Sequence, residues 1–594
     1  MTRTPLRPLA RILQARARGE NPDAIERENI RLRAEGQRDR ARARAEGRLV
    51  ILGLAFFCAF AVIGVRMGVL AAKDVEEPRI ARAGAEIVAL RSDIVDRNGR
   101  LLATNLVTRA LYAHPRQMID PARVAAELAA IFPDMKAEDL QRRFTDGRSF
   151  MWLRRKLSPE QVQAVHEIGD PGLLFGPREM RLYPNGRLAA HILGGASFGA
   201  EGVNAAEVIG VAGIEKGMDD RLRDPALAAT PLALSIDLTV QAATTEILEA
   251  GMKLMNARAA SAILMDARSG EVLTMVSLPD FDPNDRPPNP VTGEPGDSPL
   301  FNRAMQGVYE LGSVFKILAA AQAMQLGLVT PDTMIDAASP LVWGRFRIKE
   351  FENKNYGTVS VSDMIVKSSN VGAAKLALMI GGERQQDFLR AMGFFEPTPL
   401  ELVEAPKARP ILPAKWSDIV TITSAFGHGF SASQMHLAAA YATIANGGVA
   451  IRPTLLKRDA IPEGTRILSP EVARAAVDMM RQVVLKGTAS FAEVEGYQVA
   501  GKTGTADKPK KGGGYETDKV INTFASVFPS SDPRYVLLVT LDEPVDTAGT
   551  LPRRTAGWTS VPVAAEIVRR VAPLLGLRPI VEPLPELALT AAGN

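Results

Sequence analysis

Cysteine and histidine are scarce in this sequence of 594 residues, which contains one cysteine and five histidines. A single cysteine excludes a disulfide framework within the chain, and so few histidines argue against a zinc or iron–sulfur site. Net charge is small as well, at +4 from 71 basic and 67 acidic residues, which is too balanced for a protein whose main partner is nucleic acid. Apolar residues make up 46% of the chain, so it is globular, and its length predicts more than one folded unit.

The N-terminal part separates into an arginine-rich segment and an apolar run. Residues 1–48 contain thirteen arginines, no lysine and seven acidic residues, and 25–37 predicts a short charged helix. Residues 49–72 predict a transmembrane helix of the roughly 20 residues that a bilayer requires, if Arg66 extends its guanidinium outward. The positive-inside rule then places residues 1–48 in the cytoplasm and exports the rest. A cleaved signal peptide is the alternative, although its charged region is normally only a few residues long.

Beyond residue 73 the chain changes from short mixed elements to alternating strands and helices. Residues 73–230 are rich in glycine and proline, and Asn98-Gly99 predicts a tight hairpin turn. Residues 231–575 place strands on either side of a helical middle, and residues 576–594 predict a flexible tail. This order predicts an α+β fold in which helices flank an antiparallel sheet. The predicted elements are helices over 239–256 and 561–575, and strands over 259–265, 271–276, 497–505, 521–528 and 534–541.

Two short motifs resemble catalytic signatures but lack the context that those signatures need. Gly195–Gly199 (GASFG) matches the nucleophile elbow of hydrolases, which requires a helix directly after the serine, so a glycine-rich turn is the simpler interpretation. Gly496–Thr503 matches a phosphate-binding loop, but Tyr497–Val499 favours a strand and the glycines and proline that follow cannot start a helix. We therefore expect neither a hydrolase elbow nor a nucleotide site.

Ser313 and Lys316 form an S-x-x-K motif in the first turn of a predicted helix. Residues three apart lie on one helix face, so the amine can reach the hydroxyl oxygen. Serine becomes nucleophilic when a base removes its proton, and lysine can be that base if burial or a second cation destabilises its ammonium. Alone, the motif is common by chance, and a serine cap beside a surface lysine is the simpler interpretation.

Two later segments change that interpretation. Ser368 offers a hydroxyl for proton relay, and Asn370 offers an amide that can hold the lysine and a substrate amide. Lys502-Thr503-Gly504-Thr505 lies on a predicted strand: Lys502 supplies the second cation, and Thr503 and Thr505 can bind a carboxylate. Gly504 would let a ligand lie against the backbone. We expect the backbone N–H groups of Ser313 and Thr505 to stabilise an oxyanion, and an extended peptide to add to the strand edge.

The succession S-x-x-K, S-x-N and K-T-G resembles the signature of β-lactamases and penicillin-binding proteins. The chain is most similar to the class B penicillin-binding proteins, in particular the division-specific FtsI type. Further matching segments are Arg91–Leu102, Arg181–Pro184, Gly213–Glu215, Leu234–Asp237, Asn302–Ala304 and Phe426–Gly429. The sequence departs from the family pattern at Leu311, where proline is usual, and at Ser92, where glycine is usual.

This resemblance implies a peptidoglycan D,D-transpeptidase of septal cell-wall synthesis, inhibited by β-lactams. It implies a non-catalytic pedestal domain over 73–230 and a penicillin-binding transpeptidase domain over 231–575, with a helical subdomain. Ser313 would attack the penultimate D-Ala carbonyl of one stem peptide, and a second stem's amine would resolve the acyl-enzyme without any cofactor. The implied partners are peptidoglycan stem peptides, β-lactams, an FtsW-like glycosyltransferase and other division proteins, but no nucleic acid. The implied location is the bacterial inner membrane, with the catalytic domain periplasmic.

Other members of the superfamily fit less of the sequence. A secreted β-lactamase would lack the apolar run and the pedestal, and a class A enzyme would need a further large domain. An elongation-specific class B enzyme and a non-enzymatic penicillin sensor remain alternatives. His428, between glycines, predicts a structural or substrate-lining role, and His436 a surface or packing role. Glu215 is either a pedestal-hinge residue, as in the family, or an ordinary surface acid.

Overall fold

The computed structural model describes residues 7–72, 91–201, 206–398, 400–510 and 514–580, and the chain divides into two compact units, 1–88 and 89–594. The first unit contains helices α1 (Arg7–Ala17) and α2 (Pro22–Ala72), so the short charged helix is part of a much longer one. Among the residues described, no helix has an apolar stretch long enough to cross a membrane. The start of the predicted pedestal, 73–90, and most of the predicted tail, 581–594, lie outside the described residues.

The N-terminal part of the second unit is built around a five-stranded sheet. Its strands are β1 (Ile94–Val95), β2 (Leu101–Ala113), β3 (Met151–Leu157), β4 (Leu173–Leu182) and β7 (Leu232–Ala233), and a separate hairpin joins β5 (Gly195–Glu201) to β6 (Ala206–Ala212). Its helices are α3 (Pro121–Ile131), α4 (Ala137–Thr145), α5 (Pro159–Ile168), α6 (Ala190–Leu193), α7 (Gly213–Gly217) and α8 (Asp219–Leu222). The hairpin turn at Asn98-Gly99 is confirmed: Gly99 has a φ of +84° between the antiparallel β1 and β2.

A buried ion-pair network holds the base of this part together. The Glu215 carboxylate is fully buried and pairs with Arg91 at 2.6 Å and with Arg181 at 2.7 Å, while Asp219 pairs with Arg91 at 2.8 Å. The Tyr183 hydroxyl donates to Glu215 at 3.3 Å. Glu215 is therefore not a surface acid, because two guanidinium groups compensate its charge inside the fold.

The remainder of the second unit is organised by a five-stranded antiparallel sheet in the order β18-β19-β20-β8-β9. Its strands are β8 (Ala259–Asp266), β9 (Val272–Leu278), β18 (Ala500–Pro509), β19 (Tyr515–Phe528) and β20 (Tyr535–Asp542). Helices α9 (Leu238–Leu254) and α17 (Ser560–Leu574) pack on each other and on the sheet. Both predicted helices and all the predicted strands are confirmed within a few residues, with the antiparallel pairing.

Between β9 and β18 the chain forms a helical lobe with small two-stranded pairs. Its helices are α10 (Lys316–Gln325), α11 (Val361–Lys367), α12 (Asn370–Ile380), α13 (Gly382–Ala391), α14 (Asp418–Ser424), α15 (Gln434–Ala445) and α16 (Pro470–Lys486). The short strands are β10 (Val308–Tyr309), β11 (Met334–Asp336), β12 (Leu341–Trp343), β13 (Phe346–Ile348), β14 (Thr358–Ser360), β15 (Ala432–Ser433), β16 (Val449–Ala450) and β17 (Thr465–Arg466). Helices α15 and α16 also pack against the sheet, so α10, α12 and β18 come together beside it.

Candidate active site

The S-x-x-K motif lies where the helical lobe meets the edge of the sheet. Gly312–Phe315 forms a 3₁₀ turn and α10 begins only at Lys316, so the prediction that Ser313 lies in the first α-helical turn is wrong. The 3₁₀ turn forms because Gly312 has a φ of +65° and packs against the backbone of Thr505. Ser313 is partly exposed, whereas Val314 and Phe315 beside it are buried and anchor the turn.

The Lys316 ammonium is directed at the S-x-N segment. Its Nζ donates to the Ser368 carbonyl at 2.5 Å, to Ser368 Oγ at 3.1 Å and to Asn370 Oδ1 at 2.7 Å. The Ser313 hydroxyl makes no hydrogen bond to any of the described residues, so the predicted contact from Lys316 to Ser313 is not formed in this state. The predicted hydrogen bond between Asn370 and Lys316 is present.

Ser368 is the point at which the two lysines meet. Its Oγ accepts from Lys316 at 3.1 Å and from Lys502 Nζ at 2.9 Å, across 134 residues of sequence in the second case. Ser368 follows α11 in the left-handed conformation, with a φ of +60°, which is unfavourable for a residue other than glycine and is characteristic of functional sites. Because both lone pairs accept from nitrogen, the Ser368 hydrogen is free to point toward an incoming group.

Burial controls the charge of both lysines. Lys316 is 1% exposed and Lys502 is 0% exposed. Burial lowers the pKa of Lys316 to about 7, opposed by the Glu350 carboxylate, which acts to raise it. Burial also lowers the pKa of Lys502 well below its usual value, and the positive charge of Lys316 lowers it further. A lysine with a pKa near 7 can accept a proton at neutral pH, which an ordinary surface lysine cannot do.

Strand β18 brings the K-T-G segment to the other side of the turn that carries Ser313. Thr503 shares a hydrogen bond of 2.7 Å with the hydroxyl of Thr488, and Thr505 Oγ1 accepts from the Ala556 N–H at 3.1 Å. β18 is an edge strand, so one side of its backbone is available to an extended peptide. These contacts orient the two threonine hydroxyls that were expected to bind a carboxylate.

Gly504 allows a close packing contact inside the protein. A Cβ at this position would lie 2.5 Å from the Leu311 carbonyl and 3.0 Å from Val314. Only glycine therefore allows β18 to lie directly against the turn that carries Ser313. The expectation that Gly504 lets a ligand lie against the backbone stays a prediction beside this close approach of two backbones.

Sequence reasoning missed Glu350, which is buried beside the S-x-N segment and accepts hydrogen bonds from the Asn370 and Val371 N–H groups. No local signal marks it, because it lies in a loop 20 residues before Asn370. It also missed Glu310, whose carboxylate accepts from the Gly429 N–H at 2.7 Å and from the Tyr515 hydroxyl at 2.9 Å. Glu310 lies just before the S-x-x-K motif, and only this closeness in sequence could have indicated it.

The other candidate motifs lie outside this constellation. Ser197 belongs to β5, which pairs with β6, and lines a separate cavity of about 370 Å³ with Arg181 and other residues. The expected glycine-rich turn is therefore a strand that continues to Glu201, so no helix begins directly after Ser197. The phosphate-loop match runs into β18, as expected of a strand, and no helix starts there. His428 is close to Phe426 and Tyr515, while His436 is buried and bonded to Ser433, which confirms a packing role for His436.

Comparisons with known proteins match nearly the whole second unit. The family model of the penicillin binding protein transpeptidase domain matches residues 260–569, and that of the penicillin-binding protein dimerisation domain matches residues 86–225. Together they cover both parts of the fold described above.

Individual relatives agree with this. A probable peptidoglycan D,D-transpeptidase FtsI of Caulobacter vibrioides is 33% identical over 566 residues, covering 92% of each chain. The peptidoglycan D,D-transpeptidase FtsI of Escherichia coli K12 is 29% identical, covering 83% of this chain and 85% of its own. The crystal structure of penicillin-binding protein 3 from Mycobacterium tuberculosis in complex with aztreonam superposes with a TM-score of 0.62 at 25% identity, covering 83% of this chain and 98% of that one.

Proposed function

Because the chain belongs to the penicillin-binding protein transpeptidase family, we propose that Ser313 is its nucleophile and Lys316 the base that activates it. The chain is a peptidoglycan D,D-transpeptidase of the division type. The observation that carries the assignment of residues is the convergence of Lys316 and Lys502 on Ser368 Oγ, at 3.1 and 2.9 Å. We propose that the pedestal domain spans residues 73–230 and the transpeptidase domain residues 231–575.

Acylation follows from the positions of the three motifs. Neutral Lys316 takes the hydroxyl proton as Ser313 Oγ bonds to the carbonyl carbon of the penultimate D-Ala, which requires a small rotation of the amine from Asn370 toward Ser313. The carbonyl oxygen becomes negatively charged and is stabilised by the backbone N–H groups of Ser313 and Thr505. When the C–N bond breaks, the proton passes through Ser368 to the leaving amine of the terminal D-Ala.

The K-T-G segment holds the substrate during this step. The stem peptide extends along the open edge of β18, and its terminal carboxylate lies beside Lys502, Thr503 and Thr505. Asn370 binds a substrate amide once Lys316 has turned away from it. The amine of a second stem peptide then attacks the acyl-enzyme carbonyl and gives a proton to Lys316. The bond from the carbonyl to Ser313 Oγ breaks as Lys316 returns a proton to that oxygen. A β-lactam acylates Ser313 by the first half of this sequence.

The experiment that tests the assignment is labelling of the purified full chain with a fluorescent penicillin, followed by mass spectrometry of the adducted peptide. We expect the adduct on Ser313, no labelling of Ser313→Ala and none of Lys316→Ala. Undiminished labelling of Ser313→Ala would refute the site, and normal acylation of Lys316→Ala would refute the base. Release of D-Ala from a pentapeptide substrate in the same preparation distinguishes an enzyme from a penicillin sensor.

We also propose that residues 49–72 anchor the protein in the inner membrane, with residues 1–48 cytoplasmic and the transpeptidase domain periplasmic. Seven large side chains between Leu54 and Val65 are exposed on α2, each by more than half. Such a cluster is unfavourable in water and favourable in lipid. Recovery of the full chain in the membrane fraction, and of a chain lacking residues 1–72 in the soluble fraction, tests this. An FtsW-like glycosyltransferase is the partner that such an anchor would place alongside.

A further inference from the structure

Glu350 is a buried carboxylate that the proposed reaction does not use, and it lies directly behind the S-x-N segment. Glu350 is only 4% exposed. One oxygen accepts from the Ser369 hydroxyl and from the Val371 N–H at 3.0 Å, and the other accepts from the Asn370 N–H at 2.8 Å. Three donors from consecutive residues bind this carboxylate, so it fixes where that short segment lies.

The segment that Glu350 holds is the one to which the lysines bind. Ser369 is the N-cap of α12, and its Oγ accepts from the Gly372 N–H at 2.9 Å. Asn370 Nδ2 also donates to the carbonyl of Lys349, at 2.9 Å, so two successive residues of the same loop grip Asn370. If the contacts from Glu350 and Lys349 changed, Asn370 Oδ1 and Ser368 Oγ would move, and these two atoms accept from Lys316 Nζ.

The carboxylate is also the negative charge that acts on the buried Lys316 ammonium. Glu350, in the loop between β13 and β14, acts to raise the pKa of Lys316, and Lys316 in turn acts to lower the pKa of Lys502 on β18. Asn370, at the start of α12, and Ser368, which follows α11, contribute dipoles but no formal charge. Glu350 favours protonated Lys316, so it opposes the effect of burial.

We propose that Glu350 is a positioning residue of the transpeptidase reaction: it holds Ser369–Val371 in place and adjusts the charge of Lys316 without contacting substrate. This inference rests on the proposed roles of Ser313 and Lys316. It explains why the loop between β13 and β14, which is largely exposed elsewhere, sends one acidic side chain into the site. The two contributions, geometry and charge, are separable by substitution.

The test compares Glu350→Gln, which keeps the shape and removes the charge, with Glu350→Asp, which keeps the charge and shortens the reach. Glu352→Gln is the matched control, since Glu352 is an exposed acid two residues along that pairs with Lys354 at 3.0 Å. The readout is the second-order rate constant for penicillin acylation of the full chain between pH 5 and 9, with thermal melting to verify folding. We expect Glu350→Gln to acylate about 100-fold more slowly at its optimum, because its amide nitrogen cannot accept the hydrogen bonds that one carboxylate oxygen accepts, and the segment then moves by about 1 Å.

The acid limb of the pH profile is the range in which the acylation rate falls as the pH is lowered. The pH at which this limb lies distinguishes the proposed role from a merely structural one. In Glu350→Gln the limb moves to lower pH, because Lys316 loses the charge that favours its protonation. In Glu350→Asp it stays at the wild-type pH while the rate falls, and Glu352→Gln matches wild type in both respects. A folded Glu350→Gln with the wild-type rate and limb would overturn the inference, as would an equal limb shift in the Asp variant. Labelling of Ser313→Ala in parallel reports independently on the proposed function.

Discussion

Gly504→Ala tests whether the packing of β18 against the nucleophile turn sets the reaction geometry. The new Cβ would lie 2.5 Å from the Leu311 carbonyl oxygen, about 0.9 Å closer than the 3.4 Å at which ordinary contact begins. Both partners are backbone, so the strand and the turn must separate by most of that amount. A displacement of about 1 Å at a reacting centre costs on the order of 100-fold in rate, and such overpacking costs about 1–3 kcal/mol of stability.

The assay is the second-order rate constant for acylation by a fluorescent penicillin, measured with the full chain below its melting temperature. Gly296→Ala is the matched control, because a Cβ at Gly296 meets nothing within 4 Å and its φ is not positive. We expect the control to acylate at the wild-type rate and Gly504→Ala to acylate about 100-fold more slowly while remaining folded. A folded Gly504→Ala enzyme with the wild-type rate would show that the close approach is not what positions Ser313.

Three further predictions concern the lysines and Ser368. The acylation rate should rise tenfold per pH unit up to about pH 7 and level off above it, because Lys316, whose pKa is about 7, acts in its neutral form; a rate independent of pH from 5.5 to 9 would contradict this. The free energy of unfolding of Ser368→Gly should lie within about 1 kcal/mol of the wild-type value, because glycine tolerates the φ of +60°. The variant should nevertheless acylate far more slowly, and a large loss of stability with full activity would contradict the relay. Lys502→Ala should need a higher penicillin concentration for half-maximal labelling of Ser313, and an unchanged concentration dependence would exclude Lys502 from ligand binding.

The regular elements of the transpeptidase part could be predicted from the sequence because their patterns are local. The helix predicted over 239–256 is Leu238–Leu254, and the strand predicted over 534–541 is Tyr535–Asp542. The spacing of apolar residues that predicts a helix or a strand lies within a short stretch of sequence, so it can be recognised without knowledge of the rest of the chain. The errors depend on pairing and packing: the GASFG strand pairs with β6, which is near it in sequence, and the turn at Ser313 is 3₁₀ where the distant Thr505 packs against Gly312.

The sequence alone names the candidate reactive groups, because S-x-x-K, S-x-N and K-T-G indicate Ser313, Lys316, Ser368, Asn370 and Lys502 by type and order. Only the tertiary structure decided how they act on one another. It directs Lys316 at Ser368 and Asn370 rather than at Ser313, and it uses Gly504 for contact between two backbones. It also adds Glu350, which no motif marks. The physical reason is that desolvation and charge–charge interaction depend on distances between residues far apart in the chain, which no spacing along the sequence encodes.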